Sequence, residues 1–326
     1  MAPILQGLVT ILIGVFGCIA YFWVSNWLLD RVVFPARGLK AGRNISRANL
    51  VRPWLFLFPA IFALGLYLAY PVVGSFWRSM FNRAGDEFVG LGNYIDLFQA
   101  QGFRTALLNN FLWLFVVPAA STAFGLMAAQ LTDRMSWGNL AKSLIFMPMA
   151  ISFVGASLIW KFVYANNFDI GLINALRSAL GAERPVDVIQ IPFWNNFFIM
   201  FIMIWIQTGF AMVILSAALR GIPEETVEAA VLDGAGPFRM FFAIKVPQIM
   251  GTIVVVWTTI TILVLKVFDI VYTMTGGNFG THILPSYMMS FMFRDDGRAT
   301  AVAFVIMIIV LPVMVWNIAQ ARRETR

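Results

Sequence analysis

Three features of this chain predict an all-α, polytopic membrane protein of about seven transmembrane helices. Of its 326 residues, 60% are hydrophobic and only 12% charged, a balance outside the range of soluble domains. The apolar residues gather in runs that reach the ~20 residues a helix needs to cross a ~30 Å hydrocarbon layer. The intervals between the runs are short and polar, and Pro, Gly or charge marks their edges.

Composition also excludes several kinds of chemistry. Cys18 is the only cysteine and His282 the only histidine, so neither a disulfide nor a Cys/His metal site is expected. The net charge of +7 could suit a nucleic acid, but the basic residues are not interleaved with aromatics on a soluble face. They follow membrane topology instead.

The first span is Ile4 to Leu29. No Lys or Arg precedes it and no small-residue cleavage site follows, so it reads as a retained helix rather than a signal peptide. Residues 30–52 then carry Arg31, Arg37, Lys40, Arg43, Arg47 and Arg52 against a single acid, Asp30. The positive-inside rule puts this segment in the cytoplasm and the N-terminus outside, where its cations can also meet anionic lipid. Residues 1–52 are thus expected to form an N-terminal helix with a basic cytoplasmic loop, ahead of a main membrane domain over 53–326.

The second span covers Pro53 to Trp77, with Trp54 and Trp77 as interface anchors and kinks expected at Pro59 and Pro71. A mixed-charge outer loop fills 78–104. The third span, Thr105 to Leu131, is expected to be interrupted at Pro118, and Asp133 and Arg134 make a brief inner turn. The fourth runs from Leu140 to Tyr164 with Pro148 near its inner end, and a short surface helix is expected within 165–192. The fifth is Phe193 to Leu219 and the sixth Gln248 to Thr275. An outer loop from Gly276 to Arg298, holding the charge cluster Arg294–Arg298, precedes the seventh span, Ala299 to Gln320, and a basic tail of Arg322, Arg323 and Arg326. Counted over 30–52, 132–142, 220–247 and 321–326, the inner side holds 14 Lys and Arg; over 78–104, 161–192 and 276–298 the outer side holds 8. That bias agrees with a cytoplasmic C-terminus.

Between the fifth and sixth spans, Arg220 to Pro247 reads as a helix–turn–helix knuckle. Pro223 suits a first helical position, and Glu224 and Glu225 favour the positive end of a helix dipole. Val227, Ala230 and Val231 fall on one stripe. Gly234 and the Gly236-Pro237 pair stop that helix, and Pro237 can open another. Such a shape between two membrane helices suits docking, or rest on a membrane surface.

These residues carry a resemblance. Glu228-Ala229-Ala230, then Asp233-Gly234-Ala235, Ile244 and Val246-Pro247 at their spacing, resemble the EAA loop of ABC-importer permeases, with Val246 where Leu is usual. Phe88-Val-Gly-Leu-Gly-Asn-Tyr94 is similar to a signature of sugar-importer permeases. So is Lys266-Val-Phe-Asp-Ile-Val-Tyr272 followed by Thr275 and Gly276-Gly277, although Asn278 stands where that family has Pro. The extra first helix and the basic Phe34–Ile45 segment resemble alpha-glucoside permeases. The resemblance implies one half of a heterodimeric permease in the bacterial inner membrane. Its implied partners are a second homologous permease subunit, two copies of a cytoplasmic ATPase and an extracytoplasmic sugar-binding protein. Glu228, Ala229, Ala230, Asp233, Gly234 and Ala235 would form the ATPase-coupling surface.

No Gly-x4-Gly-Lys-Ser/Thr phosphate loop occurs in the chain; the one Lys-Ser pair, Lys142-Ser143, follows Ala141 at the start of a span. No catalytic residue, resident cofactor or metal is therefore expected, and ATP and Mg would be bound by the partner ATPase. The substrate path is expected among the spans. Met203, Gln207 and Phe210 share one stripe, an amide beside an aromatic ring, which suits a sugar's hydroxyls and C–H faces or, equally, glues helices together. Trp257, Thr261, Lys266 and Asp269 make the sixth span unusually polar. Lys266 and Asp269, three apart, can pair on one face, either as a structural ion pair near the outer boundary or as cavity lining.

Two other functions compete. An ion-coupled secondary sugar transporter would use Lys266 and Asp269 as a relay, but it should carry inverted repeats and central carboxylates, and neither is evident. An intramembrane enzyme would need a nucleophile–base or metal constellation, which one His and one Cys do not supply.

Overall fold

A computed structural model describes residues 2–35, 41–133 and 135–324. Arg37 and Lys40 of the basic segment, Arg134 and Arg326 lie outside the described residues. Among the described residues, regular structure is helical apart from one bridge between Phe81 and Phe88. Among these residues, five helices are long and apolar enough to cross a membrane, or up to seven if each of two sharply bent pairs counts as one span. The chain divides into two compact units, Met1–Gly74 and Ser75–Arg326.

The first unit is a helical hairpin of α1 (Ala2–Leu28) and α2 (Ala41–Leu64). Tyr21 Oη donates to the Leu55 carbonyl at 2.8 Å, and the Phe22 and Phe56 rings meet edge-on. Asp30, the only acid of the basic segment, pairs with Arg52 at 2.6 Å. Both helices otherwise expose their apolar side chains, as lipid-facing helices do. The predicted basic loop is helical from Ala41 onward, so Arg43, Arg47 and Arg52 stand on α2. Charge marked the segment's polarity but carried no information against a helix, which Arg and Ala favour.

The prolines act in two ways, and Pro118 departs from expectation. Pro53 and Pro59 lie inside the unbroken α2, and Pro118 lies buried inside the unbroken α5 (Gln101–Thr132) instead of interrupting it. Wider π-type turns instead occupy Leu29–Val33, Gly65–Ala69 and Met240–Lys245, each ending two residues before a proline: Pro35, Pro71 and Pro247. Pro71 and Pro247 lie in helix that continues, where a proline ring collides with the carbonyl four residues earlier and a locally widened turn relieves the collision; Pro35 follows the helix end at Phe34.

After α3 (Tyr70–Arg78) the chain folds back through the Phe88–Tyr94 motif into α4 (Gly92–Gln99). Asn93 ties this return, donating to the carbonyls of Ser79 and Phe81 at 2.8 and 2.7 Å, while the Tyr94 and Ser79 hydroxyls lie 2.6 Å apart. The motif is a turn that launches a surface helix.

The core of the second unit is α5 against α9 (Trp194–Arg220). The two helices run in the same direction. At one end Asn109 and Asn195 both reach the segment Phe279–His282, and at the other the residue after α5, Asp133, meets Arg220. Midway, a Cβ on Gly125 would lie 2.4 Å from Ala211 Cβ, so the absent side chain permits the close approach. Trp113, Val117, Ile202 and Met212 are fully buried around this seam.

The predicted fourth span is a broken one. Between α6 (Gly138–Phe146) and α7 (Phe153–Val163) lies a tight 3-10 turn, Met147–Ala150, and the two pieces meet at a bend of 105°. Pro148 sits in that turn, and Ser152 caps α7 by accepting from the Gly155 N–H at 3.1 Å. The surface helix expected within 165–192 is α8 (Leu172–Ala179), and beyond α9 follow α10 (Glu224–Leu232), α11 (Pro237–Arg239), α12 (Val246–Gln248) and α13 (Met250–Leu265). The Pro237–Gln248 stretch meets α13 at 72°.

The predicted sixth span also ends early. Lys266 closes α13, Phe268 leaves helical geometry at φ −134°, and α14 (Asp269–Thr275) starts afresh against α7 and α9. Lys266 and Asp269 are therefore not three apart on one helix, and no ion pair joins them among the described residues. Their expected pairing is corrected by the break.

The predicted outer loop Gly276–Arg298 is also largely structured. Asn109 donates to the carbonyls of Gly280 and His282, both at 2.8 Å, and Asn195 to that of Phe279 at 2.8 Å. Asn278, the departure from the usual Pro, donates to the Thr275 carbonyl at 2.9 Å and so supplies its own turn. Next come α15 (Leu284–Phe291) and α16 (Asp296–Glu324). The Arg294–Arg298 cluster is the start of α16: Asp295 accepts from the Arg298 N–H at 3.0 Å as a cap, and Arg298 pairs with Asp96 at 3.0 Å. Asn109→Ala leaves two carbonyls short of a donor at this pinned turn. It is expected to cost about 1–3 kcal/mol, read as a lowered midpoint in thermal unfolding of the detergent-solubilised protein.

Candidate functional site

The knuckle is built from caps. Pro223 stands at the N-cap of α10 rather than inside its first turn, with Glu224 and Glu225 opening the helix. At the other end Gly234 adopts φ +77°, the left-handed conformation that a glycine takes without a Cβ penalty. Its N–H donates to the Val231 carbonyl at 3.0 Å and the Ala235 N–H to the Ala230 carbonyl at 2.9 Å. This is the paired closure of a Schellman turn, which satisfies two carbonyls that the helix end would otherwise strand.

The turn sends the chain back through α11 and the wide turn Met240–Lys245, on which α10 packs. Ala230 and Met240 are buried, Val227 half-buried, and Val231 exposed, so the predicted apolar stripe is narrower than its spacing suggested. Glu228, Ala229, Asp233 and Gly234 are exposed and Ala235 half-buried. Around them stand Leu232 at 88% and Phe238 at 82% exposure, with Phe242 also exposed. Beside the knuckle a cleft of about 340 Å³ is lined by Met127, Leu131, Pro237, Phe238, Phe241 and Phe242. Apolar groups standing clear of the spans beside acidic ones make a surface suited to another protein.

A cluster absent from the sequence-based expectations lies at the root of the knuckle. Asp133, just past α5, accepts a charge-assisted bond from Lys142 of α6. Ser216 of α9 donates to Asp133 Oδ1 and Oδ2 at 3.1 and 3.3 Å, and Lys142 to Ser216 Oγ at 2.6 Å. Arg220, the last residue of α9, donates from Nε and Nη2 to Asp133 Oδ1 at 3.1 and 2.8 Å. Burial alone would raise the carboxyl's pKa, but the bonds from Lys142, Arg220 and Ser216 outweigh it and hold the group below the usual carboxylate range. With the folded pKa depressed, the cluster's contribution is complete above that range and is lost only as pH falls through the depressed value.

The expected path residues separate into three groups. Met203 and Gln207 are buried inside the unit, and Phe210 is half-buried. Gln207 Oε1 has no hydrogen-bond partner among the described residues, nor do Ser121 Oγ and Thr122 Oγ1 of α5. The register set by Gly125 against Ala211 puts Ser121 level with Gln207 and Thr122 level with Thr208. Trp257 and Thr261 line a separate cleft of about 480 Å³ with Phe111, Phe115, Pro312 and Trp316. Thr261 spends its hydroxyl on the Trp257 carbonyl at 2.8 Å, so this wall is mainly apolar. Lys266 and Asp269 are exposed on either side of the helix break.

Comparisons with known proteins agree with this architecture. Residues 121–326 match the family described as binding-protein-dependent transport system inner membrane component. The alpha-glucoside transport system permease protein AglF of Rhizobium meliloti (strain 1021) is 59% identical over an alignment of 335 positions, covering 100% of this chain and 99% of that one. The osmoprotective compounds uptake permease protein GgtC of Synechocystis sp. is 45% identical, covering 83% of this chain and 99% of that one. A solved bacterial alginate ABC transporter, in complex with an alginate pentasaccharide-bound periplasmic protein, has a chain of similar fold. Its TM-score is 0.70 at 21% identity, with 88% of this chain and 99% of that one covered. On the family match and the identity along its whole length, the chain belongs to the binding-protein-dependent transport family, as a multi-pass inner membrane permease.

Proposed function

We propose that this chain is one of two permease halves of an ATP-driven importer for an alpha-glucoside or related oligosaccharide. The observation that carries this reading is the knuckle: Glu228, Ala229, Asp233 and Gly234 exposed on a helix closed by a left-handed turn. A cytoplasmic ATPase, present in two copies and holding ATP and Mg, would dock there. A second homologous permease would complete the path, and an extracytoplasmic sugar-binding protein would deliver substrate. Lys and Arg bias supports an outside N-terminus and a cytoplasmic C-terminus. The sugar class is supported by the alpha-glucoside relative at 59% identity. Within the path, Met203, Gln207 and Phe210 would offer an amide beside an aromatic ring, with Trp257 and Thr261 as a second wall and Lys266 and Asp269 beyond the end of α13. Each ligand would bias the two access states through its differential affinity for them.

The gradient-driven alternative has no support, since Lys266 and Asp269 are unpaired across a helix break and the family is binding-protein-dependent. The test is mild solubilisation from native membranes followed by purification through this chain. ATPase activity is expected to co-purify. Reconstituted complex is expected to take up labelled sucrose, maltose or trehalose faster than lactose, whose linkage is beta. If neither detergent purification nor crosslinking in intact membranes finds an ATPase, the importer reading fails. Preference for lactose would overturn only the sugar class.

A further inference from the structure

The Asp133 cluster connects three helices to the knuckle, and its parts are unequal. The side chains of Asp133 and Lys142 are 20% and 16% exposed, whereas that of Arg220 is 61% exposed. A lysine so enclosed is uncommon unless it is paired. Asp133, Lys142 and Ser216 thus form an inner lock joining α5, α6 and α9. Arg220 lies on the outside of that lock and is held through one carboxylate oxygen.

Position gives the outer contact its meaning. Arg220 ends α9, and only Gly221, Ile222 and Pro223 separate it from α10. On the α9 side, any displacement of α10 is therefore either passed to the spans through Arg220 or absorbed in these three residues; the other route runs through the turn Met240–Lys245 into α13. A charge-assisted contact with a fixed carboxylate, gripped by two nitrogens of a planar guanidinium, resists the second outcome. The lock also reaches α6, which leads into the 105° break before α7, so a pull on Arg220 is applied to a broken span.

We propose that Asp133 and Arg220 are positioning residues for transport, the joint through which movement of the docked knuckle is delivered to α5, α6 and α9. This rests on the importer reading above, because it presumes an ATPase on the knuckle. Without the joint, the knuckle still docks and the ATPase still turns over, but hydrolysis no longer moves the path.

The test compares wild type, Arg220→Gln and Arg220→Lys in the purified, reconstituted complex. Uptake of labelled sucrose, maltose and trehalose is measured against ATP hydrolysed. Arg220 is exposed enough for its replacement to spare the fold, and the inner lock remains. Arg220→Gln is expected to assemble and hydrolyse ATP near the wild-type rate while moving about ten-fold less sugar per ATP. Arg220→Lys, which keeps the charge but not the two-nitrogen grip, is expected to recover only part of the ratio. Asp133→Asn should reproduce the loss, placing it on the carboxylate rather than on Arg220 alone. A wild-type ratio in Arg220→Gln would overturn the proposal. So would failure of Arg220→Gln to assemble, which would make the cluster a structural clamp. A wild-type complex with no ATPase would instead remove the importer reading beneath it.

Discussion

Gly234→Val is expected to leave the membrane helices folded and to remove ATPase from the purified protein. At φ +77° a residue with a Cβ costs about 1–2 kcal/mol, and a β-branched one is worse placed still. A Cβ at Gly234 would meet nothing within 4 Å, so the penalty comes from the backbone rather than from a clash. The chain can relieve it by leaving the left-handed conformation. That breaks the two bonds from Gly234 and Ala235 that close α10, and the direction in which Pro237 and Phe238 leave the turn changes with it. A docking surface assembled from α10 on one side and Phe238 on the other has no tolerance for that change.

Gly236→Ala is the control. Gly236 has an ordinary φ of −69° and open space about it, so the substitution is expected to be silent. The measurement is ATP hydrolysis and partner recovery per mole of purified permease, with circular dichroism to verify helix content. Equal recovery from Gly234→Val and wild type would mean that the knuckle's closure plays no part in docking.

The knuckle was legible because its determinants are local. A proline before two acids, a small-residue stripe and a glycine with a Gly-Pro pair behind it describe a capped helix within fifteen residues or so. Only details shifted, such as Pro223 occupying the cap and Val231 turning outward. The apolar spans were legible for the same reason: hydropathy is a property of each segment alone. What it does not register is a break between two stretches of equal hydropathy. Ile151-Ser152 interrupts the fourth span at a bend of 105°, yet the residues around it remain apolar, whereas the 72° bend at Ile249 lies at the boundary expected between the knuckle and the sixth span.

The Lys266–Asp269 expectation failed through that same blindness. Three residues apart means one face only while the helix continues, and α13 ends at Leu265. The Asp133 cluster was hidden differently. Its partners come from 83 and 87 residues away as well as from nearby Lys142, so no local window contains it. The available signal was weaker: a lone acid after one span, and a lone Lys and a terminal Arg at the matching ends of two others. Likewise Asn109 and Asn195, near the matching ends of α5 and α9, hint at a shared target that only the fold identifies as the Phe279–His282 turn.

Gln207→Leu separates the two roles open to that residue, helix glue or sugar ligand. The substitution nearly conserves volume, so packing in the α5–α9 seam is retained. If the amide joined helices, removing it would forfeit hydrogen bonds and lower stability. Its oxygen, however, is buried without a partner among the described residues, and such a group costs about 1–3 kcal/mol while it remains unpaired. Leucine removes that cost, so the unfolding midpoint is expected to hold or rise. Uptake is expected to move the other way. A sugar hydroxyl that pairs with the amide in the occluded state loses its partner, and a polar hydroxyl facing leucine pays desolvation in return. The expected result is about a ten-fold rise in the sugar concentration needed for half-maximal uptake, with basal ATP hydrolysis unchanged, for a loss of about 1.4 kcal/mol. Phe210→Ala should weaken uptake as well, through loss of the ring face on the same stripe. A lowered midpoint with unaltered uptake in Gln207→Leu would assign the amide to helix packing and move the search for the sugar to the Trp257 and Thr261 wall.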